Sequence, residues 1–248
     1  MTPVLHTRDL VVRYGGVVAN DAVSLEAHSG RITGLIGPNG AGKTSFVDAL
    51  TGFTPSTGEI LFAGRDLSGL PPHRRSRLGL ARTWQGVELF HDLTVLDNVQ
   101  VASTRLTLTA ALMDLVRPSR SKRAEIVMEA LELVGLDHLA SLSPDQLSLG
   151  QQKLLGIARA LASKPLLLLL DEPAAGLDTE ESRQFGIQLR HLVDTGVGIL
   201  LIDHDMNLVL EVCDDVYVLD HGKVIAHGPP ADVRSDSKVI QAYLGTAP

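Results

Sequence analysis

The chain of 248 residues holds a single cysteine, Cys213, so no disulfide can form within it. Flanked by apolar neighbours, that thiol reads as a packing residue and not as a nucleophile. Long apolar runs are missing as well. The longest, residues 166–170 and 197–202, fall far short of the roughly 20 residues that cross a bilayer. The first residues show no charged segment followed by an apolar one, so no secretory signal is expected. An excess of positive charge is also absent. Against 29 Asp+Glu stand 22 Lys+Arg, a net charge of −7, which lacks the broad basic footprint of a nucleic-acid binder. Two local basic patches, Arg74, Arg75 and Arg77 with Arg82, and Arg117, Arg120, Lys122 and Arg123, read as solvated surface. These absences leave a soluble, cytoplasmic globular protein that can still dock on a membrane protein. Its length supports one large core, with or without an attached subdomain.

What the sequence does contain is a phosphate-binding loop. Residues 37–44 (GPNGAGKT) fit G-x-x-x-x-G-K-[ST], preceded by a strand-like ITGLI and followed by a helix-like SFVDALT. Such a loop aims backbone N–H groups at phosphates from a helix N-terminus. Gly37, Gly40 and Gly42 permit the tight turn and close approach, with Pro38, Asn39, Ala41 and Ser45 completing the cradle. Lys43 reaches the β- and γ-phosphates, and Thr44 offers a hydroxyl to Mg²⁺. A nucleoside triphosphate with Mg²⁺ is therefore expected.

Around this loop the pattern changes twice. Residues 5–14 and 22–27 alternate like strands, and residues 57–63 form another strand ahead of a turn at Gly64-Arg65-Asp66. Residues 82–85 read as a short strand entering a loop. From about residue 95 to 162 the period becomes helical, with Val95, Val99, Val101 and Ala102 on one helix. Residues 125–134 form a second helix, stopped by Gly135, and residues 151–162 a third. After Pro165 the pattern is α/β again: buried strands at 166–170 and 197–202, helices at 180–193, 206–213 and 238–244, and a hairpin turning at Asp220-His221-Gly222. The expected fold is α/β: a mostly parallel P-loop NTPase core, an antiparallel β subdomain and an inserted α-helical subdomain. Core segments 1–88 and 164–248 flank a helical segment, 89–163.

Two further motifs carry chemistry. The apolar run 166–170 ends in Asp171-Glu172, placing carboxylates at the carboxyl end of the sheet, where open α/β sheets bind ligands. Asp171 suits Mg²⁺ binding through water, and Glu172 suits polarising an attacking water. Acids that merely complement a helix dipole would look the same in isolation. Ser148, in Leu147-Ser148-Leu149-Gly150-Gln151, is a good helix N-cap, and the same physics makes an anion site.

With this motif the chain resembles the ATP-binding cassette (ABC) ATPase family, whose signature is Leu-Ser-Gly-Gly-Gln; Leu149 replaces its first glycine. The resemblance covers nearly the whole chain, as a single cassette domain over 1–248. It implies that Tyr14, with Val18, meets adenine, and that Gln85 approaches Mg²⁺ and signals to a membrane partner. It further implies that Ser148, Gly150 and Gln151 close on ATP held by another copy, that Asp178 reaches across that dimer interface, and that His204 contacts the γ-phosphate. Residues 83–85 (TWQ), 93–99 (LTVLDNV), 171–178 (DEPAAGLD), 202–206 (IDHDM) and 239–245 (VIQAYLG) resemble the ATPase subunit of branched-chain amino-acid importers. This implies an Mg²⁺-dependent ATPase on the inner face of the cell membrane. Its partners would be a second cassette (like or unlike), membrane permease subunits and, indirectly, a solute-binding protein. Other readings are a soluble ABC ATPase, an importer of another small polar solute, and a nucleotide-gated module without turnover.

Overall fold

Strands made wholly of buried residues set the architecture of the computed structural model, which describes residues 2–83, 88–103 and 120–244. The chain begins with β1 (Leu5–Tyr14), β2 (Val17–Ala27) and β3 (Ile32–Ile36), then α1 (Lys43–Thr51). β4 (Ser56–Phe62), β5 (Arg65–Asp66), α2 (Pro72–Arg77) and β6 (Leu80–Thr83) follow. The helical stretch contains α3 (Val95–Ser103), α4 (Arg120–Leu133) and α5 (Leu149–Leu161). The remainder is β7 (Leu167–Asp171), α6 (Thr179–Val193), β8 (Gly198–Ile202), α7 (Met206–Val212), β9 (Asp215–Asp220), β10 (Lys223–Gly228), α8 (Pro230–Ser235) and α9 (Ser237–Leu244). A six-stranded sheet has the order β10-β9-β3-β8-β7-β6, parallel throughout except for β10. A four-stranded antiparallel sheet has the order β2-β1-β4-β5.

Both faces of the parallel sheet are covered, which is why its strands read as unbroken apolar runs. Leu168, Leu170, Ile199 and Leu201 join the core formed with α4 to α7. Leu167, Leu169, Leu200 and Ile202 point the other way, into a second core with α1 and the antiparallel sheet. Each such leucine or isoleucine contributes up to about 1.5–3 kcal/mol. The order β3-β8-β7 brings the segments that follow these three strands to one edge of the sheet.

Several sequence expectations need correction. β2 begins at Val17, not Ala22, because Ala22 is left-handed (φ 56°) and shifts the register, so the apolar alternation changes phase partway along the strand. The turn expected at 64–66 falls on Ala63 and Gly64 (φ 48° and 74°), and Arg65 and Asp66 pair with Phe62 and Leu61. With positive φ at both central positions the two-residue hairpin is of the type I′ kind, which favours glycine at the second, Gly64. Leu166 is outside β7 and exposed. Val101 is exposed as well; α3 buries Val95, Asn98 and Val99, the i, i+3, i+4 face that position 101 does not share.

The first basic patch is not wholly solvated. Arg75 is buried, and its guanidinium donates to the carbonyls of Ala49, Leu50 and Leu70, closing the end of α1. Arg82 is buried between two acids, as described below. For Arg117, Arg120, Lys122 and Arg123, the side chains lie outside the described residues.

Asn98 is fully buried and fixes the segment before α3. Its Nδ2 donates to the Phe90 and Thr94 carbonyls (2.9 and 3.0 Å), and its Oδ1 accepts from the Phe90 N–H (2.9 Å). Asn98→Ala leaves the Phe90 N–H without its partner, while the Phe90 and Thr94 carbonyls keep the N–H groups of Leu93 and residue 98, and a loss of about 1–3 kcal/mol in unfolding free energy is expected. Urea denaturation measures it; a loss under about 0.5 kcal/mol would contradict the assignment.

Candidate nucleotide-binding site

The segment after β3 wraps an empty space with backbone rather than with side chains. Gly37 has φ 152°, and a Cβ there would stand 2.1 Å from the Leu219 carbonyl oxygen; one on Gly42 (φ 103°) would stand 2.3 Å from that of Ala19. No side chain caps the first turn of α1. Its free N–H groups and dipole are therefore directed at an anion. A cavity of about 400 Å³ opens there, lined by Val17, Val18 and Ala19, by residues 39–45, and by Glu172, His221 and Gly222. The tip of the β9–β10 hairpin closes one side, since the Gly222 N–H donates to the Ala41 carbonyl (2.9 Å) and accepts, through its own carbonyl, from Asp21 N–H (2.8 Å).

Lys43 Nζ donates to the carbonyls of Gly37 (2.7 Å) and Pro38 (3.1 Å). Burial pulls its pKa down, while Glu172, Asp171 and Asp203 push it back up. Asp171, at the end of β7, is 3% exposed and accepts from Arg82 Nη2 at 2.9 Å. Burial raises its pKa, with the Arg82 contact opposing. Glu172 follows in a left-handed conformation (φ 47°), its N–H donating to the Ile202 carbonyl (2.7 Å). Positive φ at a glutamate costs roughly 1 kcal/mol or more. Here it turns the chain at the strand end, and the residue lines the cavity.

His204 is exposed, with Nδ1 3.7 Å from Glu172 Oε1. The fully buried Asp203 holds that corner: Oδ1 accepts from the N–H groups of His204 (2.8 Å) and Asp205 (3.0 Å), and Oδ2 from Ala174 N–H (3.4 Å). Burial pushes the Asp203 carboxyl up, with these hydrogen bonds opposing. A carboxylate and a hydroxyl oxygen, from Asp171 and Thr44, suit Mg²⁺, which takes one or two protein oxygens beside phosphates and water.

Other expected residues stand apart. Tyr14 is half exposed, its hydroxyl 3.2 Å from Thr54 Oγ1, and it does not line the cavity. Ser148, Gly150, Gln151 and Asp178 do not line it either. Ser148 caps α5 by accepting from Gln151 N–H (3.3 Å) while Gln151 Oε1 accepts from Ser148 N–H (2.9 Å). Asp178 caps α6 in the same way with Glu181. Leu149 is exposed beside Gly176. Trp84 and Gln85 lie outside the described residues. Sequence reasoning gave no site role to Asp203, His221 or Arg82. His221 was legible only as a turn residue, and the other two needed the strand order to be placed.

A phosphate-cradling loop, a strand-end acid pair and a histidine just past the adjoining strand define a P-loop nucleotide triphosphatase. Residues 20–175 match the model of the ABC transporter family, and the chain belongs to that family. Residues 223–248 match a second model, that of the branched-chain amino acid ATP-binding cassette transporter. The chain is 40% identical to the high-affinity branched-chain amino acid transport ATP-binding protein LivG of Escherichia coli (strain K12), covering 99% of both. It is 38% identical to BraF of Pseudomonas aeruginosa, described in the same words, again over 99% of both. Identity to the lipopolysaccharide export system ATP-binding protein LptB of E. coli is 36%, over 97% of each. Among solved structures, the ADP conformation of MJ1267, an ATP-binding cassette of an ABC transporter, matches with a TM-score of 0.86 and 30% identity, covering 99% of this chain and 100% of that one.

Proposed function

We propose that this chain is the ATP-hydrolysing subunit of an importer for branched-chain or related amino acids, and that it works as a pair of cassettes. The observation that carries the pairing is a separation. The P-loop, Asp171, Glu172 and His204 converge on one edge of the sheet, whereas Ser148 begins a helix that does not line that cavity. A second copy, or a related cassette, brings its own Ser148 and Gly150 to the nucleotide. The match to LivG and BraF over whole chains supports the solute class.

In this reading the loop amides and Lys43 bind the phosphates of ATP, with Val18 beside the base and Tyr14 stacking on it. Thr44 and Asp171, with Gln85, would hold Mg²⁺, and the ion would supply neutralisation of the charge developing on the phosphates. Glu172 orients and deprotonates the attacking water, and His204 holds the γ-phosphate. Positioning and electrostatics supply most of the rate. ATP favours the closed pair only as far as it binds that state more tightly; hydrolysis removes the bias. The core segments 1–88 and 164–248 bind nucleotide, and 89–163 meets the permease. The described residues contain no helix long and apolar enough to cross a membrane. In this reading the permease is a separate chain, and this subunit sits peripherally on its cytoplasmic side.

Purification from native membranes with ATP present tests the assignment. A permease, a second cassette and amino-acid-stimulated phosphate release from the complex are expected. Recovery with ribosomes, or with no membrane protein under mild solubilisation, would overturn the transport role.

A further inference from the structure

Arg82 forms a bridge that the roles above do not use. It lies on β6, next to β7, with its side chain 6% exposed. Its Nη2 donates to Asp171 Oδ2 at 2.9 Å, and its Nη1 to Asp48 Oδ1 at 2.5 Å. Asp48 belongs to α1, four residues after Thr44, so the two share one face of that helix, a turn apart. One planar guanidinium therefore ties together the two elements that carry Thr44 and Asp171. A guanidinium fork fixes both the spacing and the angle of two carboxylates, which a lysine ammonium does not.

We infer that Arg82 is a positioning residue for the Mg²⁺–phosphate end of the nucleotide site, setting the distance between α1 and the end of β7 through its paired contacts with Asp48 and Asp171. The inference rests on the nucleotide site proposed above. Arg82 touches neither nucleotide nor metal in this account. It leaves Asp171 Oδ1 available and holds the carboxylate plane, as outer partners of metal ligands do. A bridge that served stability alone would influence nucleotide binding equally with and without metal.

The test is the Mg²⁺ dependence of equilibrium binding of a fluorescent ATP analogue by the full chain, with EDTA as reference. For Arg82→Met, the Mg²⁺ concentration at half-effect is expected to rise about tenfold or more, while affinity in EDTA stays within about twofold. Arg82→Lys keeps the charge but loses the fork, and most of that rise should remain. An unchanged Mg²⁺ midpoint in Arg82→Met overturns the inference, as does a parallel loss in EDTA or full recovery in Arg82→Lys. Should Arg82→Met fail to fold, Asp48→Asn decides, because it loosens the helix end of the bridge and leaves the Asp171 contact in place. A rise of about threefold is expected there, and no rise overturns the proposal. A wild-type chain whose nucleotide binding ignores Mg²⁺ would sink the underlying reading too, whereas a wild-type response with unmoved variants sinks this inference alone.

Discussion

Glu172→Gln is expected to retain ATP and nearly stop hydrolysing it. The amide matches the carboxylate in shape, so the left-handed turn after β7 and the Ile202 contact to the residue's N–H persist. What disappears is the basic oxygen and one negative charge at the wall of the cavity. Turnover should fall about 10²–10⁴-fold, the range supplied by a positioned general base. Binding should stay equal or tighten, since a negative group no longer faces the terminal phosphate. Steady-state phosphate release from the assembled complex, measured beside nucleotide retention, checks both halves. Near-normal turnover would remove Glu172 from the chemistry.

Lys43→Ala should act on binding instead. The ammonium is already placed at the loop, hydrogen-bonded to the carbonyls of Gly37 and Pro38. Phosphate oxygens offer it charge-assisted bonds worth about 1.5–3 kcal/mol each. Losing two of them predicts an ATP affinity lower by about 10²-fold or more. Stability without ATP should change little, because burial of the ammonium already works against its charged form. Thermal unfolding with and without saturating ATP separates the two effects: the ligand-induced rise in Tm disappears, while the ligand-free Tm remains. A variant that still gains the wild-type increment would contradict the role.

The sequence was most legible where local chemistry and periodicity agree. Residues 37–44 name their own function, and five-residue apolar strands between turn signals leave few alternatives. Ser148 is a cap by residue type, and it caps α5; Asp178 caps α6 as well, a role the sequence reading did not assign. What stayed hidden depends on neighbours far away in sequence. Nothing local distinguishes Arg82 from a surface arginine until β6 is laid beside β7 and Asp48 of α1 meets its guanidinium. Asp203 likewise gains its third N–H donor, Ala174, only when β8 lies next to β7; the other two, from His204 and Asp205, are local. Ala22 broke the alternation by a backbone angle that no alanine announces. The separation of Ser148 from the cavity was legible only through family resemblance, since no spacing rule says whether a capped helix start and a phosphate-binding loop face one cavity.

The hairpin tip resting on the loop has a consequence for synthesis. β3 is paired on one side with β8 and on the other with β9, and Gly222 N–H meets the Ala41 carbonyl. A ribosome must therefore make most of the chain before the loop encoded at its beginning has walls. At roughly 5–20 residues per second, that delay is on the order of ten seconds or more. Throughout it the apolar strand and its glycine-rich continuation lack their neighbours. A chain that stops before β9 therefore lacks one neighbour of β3 and the hairpin tip that closes the side of the loop.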